Sequence, residues 1–166
     1  MKFAAAILTI SDRGARGERE DLSGPALKEG LEKHGRFIVV AEKIVSDDPA
    51  GISRVLVEWC DAGGIALILT TGGTGFAPRD LAPEATTAVL ERPAPGFAEA
   101  MRAASLAITP HAMISRAVAG IRKTTLIINF PGSPKAAREC LAVVLPALPH
   151  ALEKLAGDPS DCGSVA

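Results

Sequence analysis

A chain of 166 residues, with 48% apolar and 22% charged residues, is long enough for one domain with a real core and suits a globular fold. Its formal net charge of −1 excludes a global field drawing nucleic acid or a membrane surface, so any anion site must be built locally. With no Tyr, five Phe and one Trp, the composition also argues against aromatic platforms for stacked bases.

Phe3 to Ile10 is a continuous apolar run, which predicts a central parallel strand covered on both faces rather than a cleaved leader. Ser11 to Leu22 reads as a polar loop. Ser23-Gly24-Pro25 opens a helix carrying Leu27 and Leu31, with Ser23 as the expected cap and Gly35 as the stop. Phe37 to Val45 reads as a second strand. Asp48-Pro49 starts a second helix, with Asp48 as its cap and with Ile52, Val55, Leu56 and the core residue Trp59 on one face. Gly63-Gly64 ends it, and Ile65 to Leu69 reads as a third strand.

Pro83 to Leu90 and Gly96 to Leu106 read as helices. Ala117 to Ile121 and Thr125 to Phe130 read as strands joined near Arg122-Lys123, the first being a hairpin partner at the sheet edge. A helix with Cys140, Leu141 and Val144 follows, and Leu148 to Leu155 reads as the last helix. The predicted organisation is a single domain over 1–156 and a fraying tail over 157–166. No apolar run approaches the roughly 20 residues that span a bilayer. Cys60, Cys140 and Cys162 form no C-x-x-C pair and read as reduced thiols of a cytoplasmic protein. His34, His111 and His150 are scattered and predict no metal cluster.

The β-α-β-α-β order implies a parallel sheet with right-handed crossovers, and ligands of such sheets bind beyond the carboxyl ends of the strands. The loops at Ser11, Ser46 and Thr70 share that rim. The run from Leu69 to Asp80 is the most informative of them. Gly72, Gly73, Thr74 and Gly75 stand between a strand and a helix, where backbone N–H groups approach a phosphate closely. Arg79-Asp80 adds a cation for phosphate oxygens and an anion for a metal or a proton. A second strand-to-helix loop, Pro131-Gly132-Ser133-Pro134-Lys135, turns a helix N-terminus to the same rim. Ser133 there is either an anion contact or a plain cap. Ser11-Asp12-Arg13-Gly14 does not supply the G-x-G-x-x-G of a dinucleotide-dependent oxidoreductase. No persuasive Ser-His or Cys-His pair is present.

Four stretches stand in a familiar order and spacing: Thr9 to Arg13 with Asp21 to Pro25, Thr70 to Thr86, Ser115-Arg116, and Asn129 to Lys135. Over nearly the whole domain the chain resembles the MogA/MoaB family, the molybdopterin adenylyltransferases of molybdenum cofactor synthesis. The resemblance implies an α/β three-layer sandwich with a mostly parallel sheet and an edge β-hairpin, commonly a homotrimer. It implies transfer of AMP from ATP to the molybdopterin phosphate with release of pyrophosphate, assisted by magnesium (Mg2+). The product passes to a downstream metal-insertion enzyme. Neither nucleic acid nor membrane is an implied partner.

Carried onto this sequence, the resemblance makes Asp47 and Asp80 the acidic catalytic residues and the metal ligands. It places substrate contacts at Ser11, Asp12 and Arg13; at Thr71, Gly72, Gly73, Thr74, Gly75 and Arg79; at Ser115 and Arg116; and at Pro131, Gly132, Ser133 and Lys135. Asp12 alternatively bonds only neighbouring backbone amides, and Arg79 equally suits a surface salt bridge. Two positions depart from the pattern: Ala82 stands where the family usually has Thr, and Phe130 where Leu is usual. The rival expectation is a non-catalytic molybdopterin-binding or protein-interaction module, against which the retention of both Asp47 and Asp80 speaks.

Overall fold

A computed structural model describes residues 1–160; Cys162 and the part of the expected tail over 161–166 lie outside the described residues. Phe3–Ile10 forms the central strand β1, and its alternating side chains divide the molecule in two. Along the chain follow α1 (Asp12–Ala15), α2 (Ser23–Lys33), β2 (Phe37–Val45), α3 (Pro49–Ala62), β3 (Leu67–Thr71), α4 (Ala82–Thr87) and β4 (Arg92–Pro93). Then come α5 (Pro95–Leu106), a 3-10 turn (Pro110–Ile114), β5 (Ala119–Arg122), β6 (Thr125–Phe130), α6 (Pro134–Val144) and α7 (Leu148–Leu155).

The sheet order is β2-β1-β3-β6-β5-β4. The first four are parallel neighbours, so their carboxyl ends share one edge; β5 runs antiparallel to β6, and β4 antiparallel to β5. On one face Ala5 and Ile7 of β1 meet Leu27 and Leu31 of α2, Met101 of α5 and Leu141 of α6. On the other, Ala6, Leu8 and Ile10 meet Ile52, Val55 and Leu56 of α3 and Ala85 of α4. Helices on both faces of the sheet make the three layers, and each fully buried Leu or Ile contributes about 1.5–3 kcal/mol. Trp59 is half-buried against the α3 side, and Phe130 is fully buried on the α2 side.

Four local expectations are revised. The loop after β1 contains the one-turn helix α1, started by Ser11, whose Oγ accepts from the Gly14 N–H at 3.0 Å. Ser23 is not the cap of α2: the Asp21 carboxylate accepts from the Gly24 N–H at 3.0 Å instead, and it also accepts from Thr9 Oγ1 at 2.7 Å. A carboxylate tied to β1 is the stronger acceptor, so it displaces the hydroxyl. The third strand runs two residues later than its apolar run, because Thr70 and Thr71 are buried with their hydroxyls bonded. The β5–β6 hairpin does not take the sheet edge; the short β4 lies beyond it, where Pro93, lacking an N–H, is tolerated.

Candidate active site

The turn after β3 forces the backbone close to β1. Gly72 has φ +97°, and a Cβ there would lie 2.3 Å from the Ile10 carbonyl oxygen. Only glycine meets both demands. The Gly72 N–H is used within the protein, donating to the Phe130 carbonyl at 3.1 Å. The next three N–H groups, of Gly73, Thr74 and Gly75, find no backbone acceptor among the described residues. Consecutive unpaired donors of this kind form a nest for an anion.

Two cavities flank this turn. The larger, about 460 Å³, lies within the roughly 300–1,000 Å³ range of small-molecule sites. Of the residues expected from sequence, it brings together Ser11, Asp47, Thr71, Gly72, Gly73 and Asp80, with Gly132 and Ser133 from the loop after β6. The smaller, about 270 Å³, is lined by Thr74, Gly75, Ser115 and Pro131 over an apolar floor that includes Met101 and Ile108. Asp12, Arg13, Arg79, Arg116 and Lys135 line neither.

The structure gives most of those five residues other work. Asp12 and Asp47 exchange bonds: the Asp12 N–H donates to Asp47 Oδ2 and the Asp47 N–H donates to Asp12 Oδ1, each at 3.0 Å. Arg79 grips the Asp12 carboxylate with Nε at 2.5 Å and Nη2 at 2.9 Å, so it forms the salt bridge. That bond and the Asp47 amide hold the Asp12 carboxyl below its usual range. Arg116 donates from Nε to the Gly75 carbonyl at 2.9 Å and also binds the Asp80 carbonyl and the Glu84 carboxylate. It therefore fastens the glycine turn to α4, and its hydrogen bond pulls the Glu84 carboxyl below its usual range. Lys135 pairs with Glu139 one turn along α6. Arg13 is exposed.

Asp47 and its neighbour Asp48 act differently. Asp48 caps α3, accepting from the Gly51 N–H at 2.9 Å, while Asp47 is half-buried in the larger cavity. Burial pushes the Asp47 carboxyl above its usual range; the negative charges of Asp12 and Asp80 push the same way, against the bond from the Asp12 N–H. Asp80 does not cap α4; its Oδ2 accepts from the Ala77 N–H at 3.0 Å. Ser133 caps α6 through a long bond, 3.4 Å, from the Ala136 N–H. Among the described residues no group of three or more His, Cys, Asp or Glu is arranged to hold a metal, and no His or Cys lines the larger cavity.

Sequence reasoning misses part of this site. Arg19, Glu20 and Asp21, from the segment between α1 and α2, also line the larger cavity, as does Ser23 at the start of α2. No periodic pattern marks that segment. The structural part played by Asn129 is missed as well. Fully buried in β6, it donates from Nδ2 to Thr70 Oγ1 and to Thr86 Oγ1, both at 2.9 Å, and accepts from the Val118 N–H at 3.2 Å. A lone amide inside an otherwise apolar strand is the signal that could have found it.

The rim of this mostly parallel α/β sheet thus carries a glycine turn with unpaired N–H groups, the carboxylates of Asp47 and Asp80, and a second helix-initiating loop. Residues 6–150 match the family described as a probable molybdopterin binding domain, and the chain belongs to it. It is 44% identical over 153 residues to the molybdopterin adenylyltransferase of Helicobacter pylori, covering 92% of this chain and 87% of that protein. It is also 44% identical over 167 residues to gephyrin of Dictyostelium discoideum, covering 95% of this chain but 23% of that protein. The molybdopterin biosynthesis enzyme MoaB of Thermus thermophilus superimposes with a TM-score of 0.89 at 53% identity, over 96% of this chain and 99% of that one.

Proposed function

We propose that the chain is a molybdopterin adenylyltransferase that moves AMP from ATP to the phosphate of molybdopterin. The observation that carries this reading is the larger cavity itself, which sets Asp47 and Asp80 against a glycine turn with unpaired N–H groups and is lined by no His or Cys. Such a site offers no nucleophile–base pair. It suits a reaction whose nucleophile arrives ionised on the substrate. A phosphate oxygen of molybdopterin attacks the α-phosphorus of ATP, the bond from that phosphorus to the bridging oxygen breaks, and pyrophosphate leaves with the electron pair. The protein must align the two anions and offset their charge.

In this reading Gly73, together with Ser133 at the start of α6, meets phosphate oxygens in the larger cavity, while Thr74 and Gly75 present their N–H groups on the side of the smaller one. Ser115, across the turn in the smaller cavity, serves the pterin side. Asp47 and Asp80 would hold magnesium, which when bound supplies positive charge beside the phosphates. The donor set fits: two carboxylates leave coordination sites for phosphate oxygens and water, as magnesium prefers. A cation would also relieve the burial and repulsion acting on Asp47.

The named activity of the relatives supports the reading, as do the free, buried Cys60 and Cys140 for a reducing cytoplasm. No helix among the described residues is long and apolar enough to cross a membrane. Exposed Leu106, Ile108, Met113 and Ile114 support a homotrimer, to be checked by light scattering; a metal-inserting enzyme would take the product. The test is incubation with molybdopterin, ATP and magnesium, with adenylylated molybdopterin detected by mass. Wild type forms it, chelation stops it, and Asp80→Ala lowers the rate on the order of 100-fold or more. Molybdopterin bound with ATP left intact would favour the binding-module reading, which the partial match to gephyrin makes worth the control.

A further inference from the structure

The larger cavity is short of positive charge. Four carboxylates line it (Glu20, Asp21, Asp47 and Asp80), with a single cation among the described lining residues, Arg19. The basic residues on the glycine turn and beyond it are engaged elsewhere: Arg79 with Asp12, Arg116 with Glu84, Lys135 with Glu139. Arg16, three residues before Arg19, is held by Glu18. Arg19 forms no ion pair among the described residues and is exposed at the cavity wall.

We propose that Arg19, reaching in from the segment between α1 and α2, is the protein's own cation for a phosphate group bound in this cavity. The proposal rests on the adenylyltransferase reading only for the identity of that phosphate. A guanidinium suits this role, because its fork of N–H donors matches two phosphate oxygens and it stays charged at every working pH. A polyanion entering a space with four carboxylates meets repulsion that unpaired N–H groups offset only in part. An unpaired arginine at the wall gives up no existing salt bridge when it turns to the ligand. The ligand is either the polyphosphate of ATP or the single phosphate of molybdopterin, and separate titrations tell them apart.

The experiment uses the full chain as wild type, Arg19→Ala, Arg19→Lys and Lys33→Ala. Lys33 is exposed at the far end of α2 and controls for loss of one surface charge. Calorimetric titrations with magnesium ATP, magnesium pyrophosphate and molybdopterin are run at low and high salt. Arg19→Ala is expected to weaken one ligand class about tenfold, the size of a lost charge-assisted bond. Arg19→Lys recovers part of the loss, Lys33→Ala matches wild type, and the gap narrows as salt rises. Loss confined to ATP and pyrophosphate assigns Arg19 to the nucleotide; loss confined to molybdopterin assigns it to the pterin phosphate. Unchanged affinity of Arg19→Ala for all three ligands at both salt levels overturns the proposal. Arg19-dependent binding without AMP transfer by wild type would instead overturn the adenylyltransferase reading and leave the role of Arg19 standing.

Discussion

Replacing Asn129 by leucine should loosen the glycine turn from behind. The substitution nearly keeps the side-chain volume but removes all of its polar bonds. Two bonds to Thr70 and Thr86 are lost, each with a net value of about 1 kcal/mol. The Val118 N–H also loses the acceptor it now meets at 3.2 Å, at a cost of about 1–3 kcal/mol. Part is regained from the apolar side chain, so we expect a net loss of about 3 kcal/mol. For a chain of this size that corresponds to a fall in Tm of about 6–12 °C. Circular dichroism at fixed protein concentration measures it. A double-mutant cycle with Thr86→Val isolates the bond, with an expected coupling of about 1 kcal/mol. Thr70 lies just before the glycine turn and Thr86 in α4 behind it, so activity should fall at temperatures where the variant is still folded. A Tm change under about 2 °C, or strict additivity in the cycle, would refute the view that this amide clamps both flanks.

Gly72→Ala places a Cβ against the Ile10 carbonyl oxygen at a backbone angle that L-residues avoid, so it should lower Tm and abolish nucleotide binding together. Gly96→Ala is its control: no atom lies within 4 Å of the added Cβ in the first turn of α5, and the substitution should raise stability by about 0.5–1 kcal/mol. Glu84 has a carboxyl held below its usual range by Arg116, so in acid the unfolded chain takes up a proton first. Its stabilising effect is present above the ordinary glutamate pKa and is lost as pH falls through the lowered value. Glu84→Gln should therefore flatten the acid limb of a Tm-against-pH curve while leaving its slope near neutrality unchanged.

The sheet was legible because strands write themselves as apolar, β-branched runs: β1, buried along nearly its whole length, and the mostly exposed edge strand β2 both fall where those runs fall. The rim was legible for a related reason: a parallel strand order commits all loops after the strands to one edge. The division of Asp47 from Asp48 followed from the helix-start chemistry of Pro49. What stayed hidden are partnerships between side chains far apart in the chain. Asp12 and Arg79 are separated by 67 residues, and neither local composition nor period announces that they pair. The same holds for Arg116, which the resemblance makes a substrate contact but which holds loop carbonyls and Glu84. Arg19 was hidden for the opposite reason, since an exposed loop arginine has no local signature until a cavity forms beside it.

β6 is the last strand among the described residues, yet it lies inside the sheet between β3 and β5. On a ribosome the N-terminal half therefore waits with the hydrogen-bonding edge of β3 bare until Thr125 to Phe130 emerge. Gly132 and Ser133, one wall of the larger cavity, come later still. A chain interrupted before Thr125 is then not a weakened form of this protein: it has an unsatisfied β3 edge and an open-sided cavity, and its natural fate is aggregation.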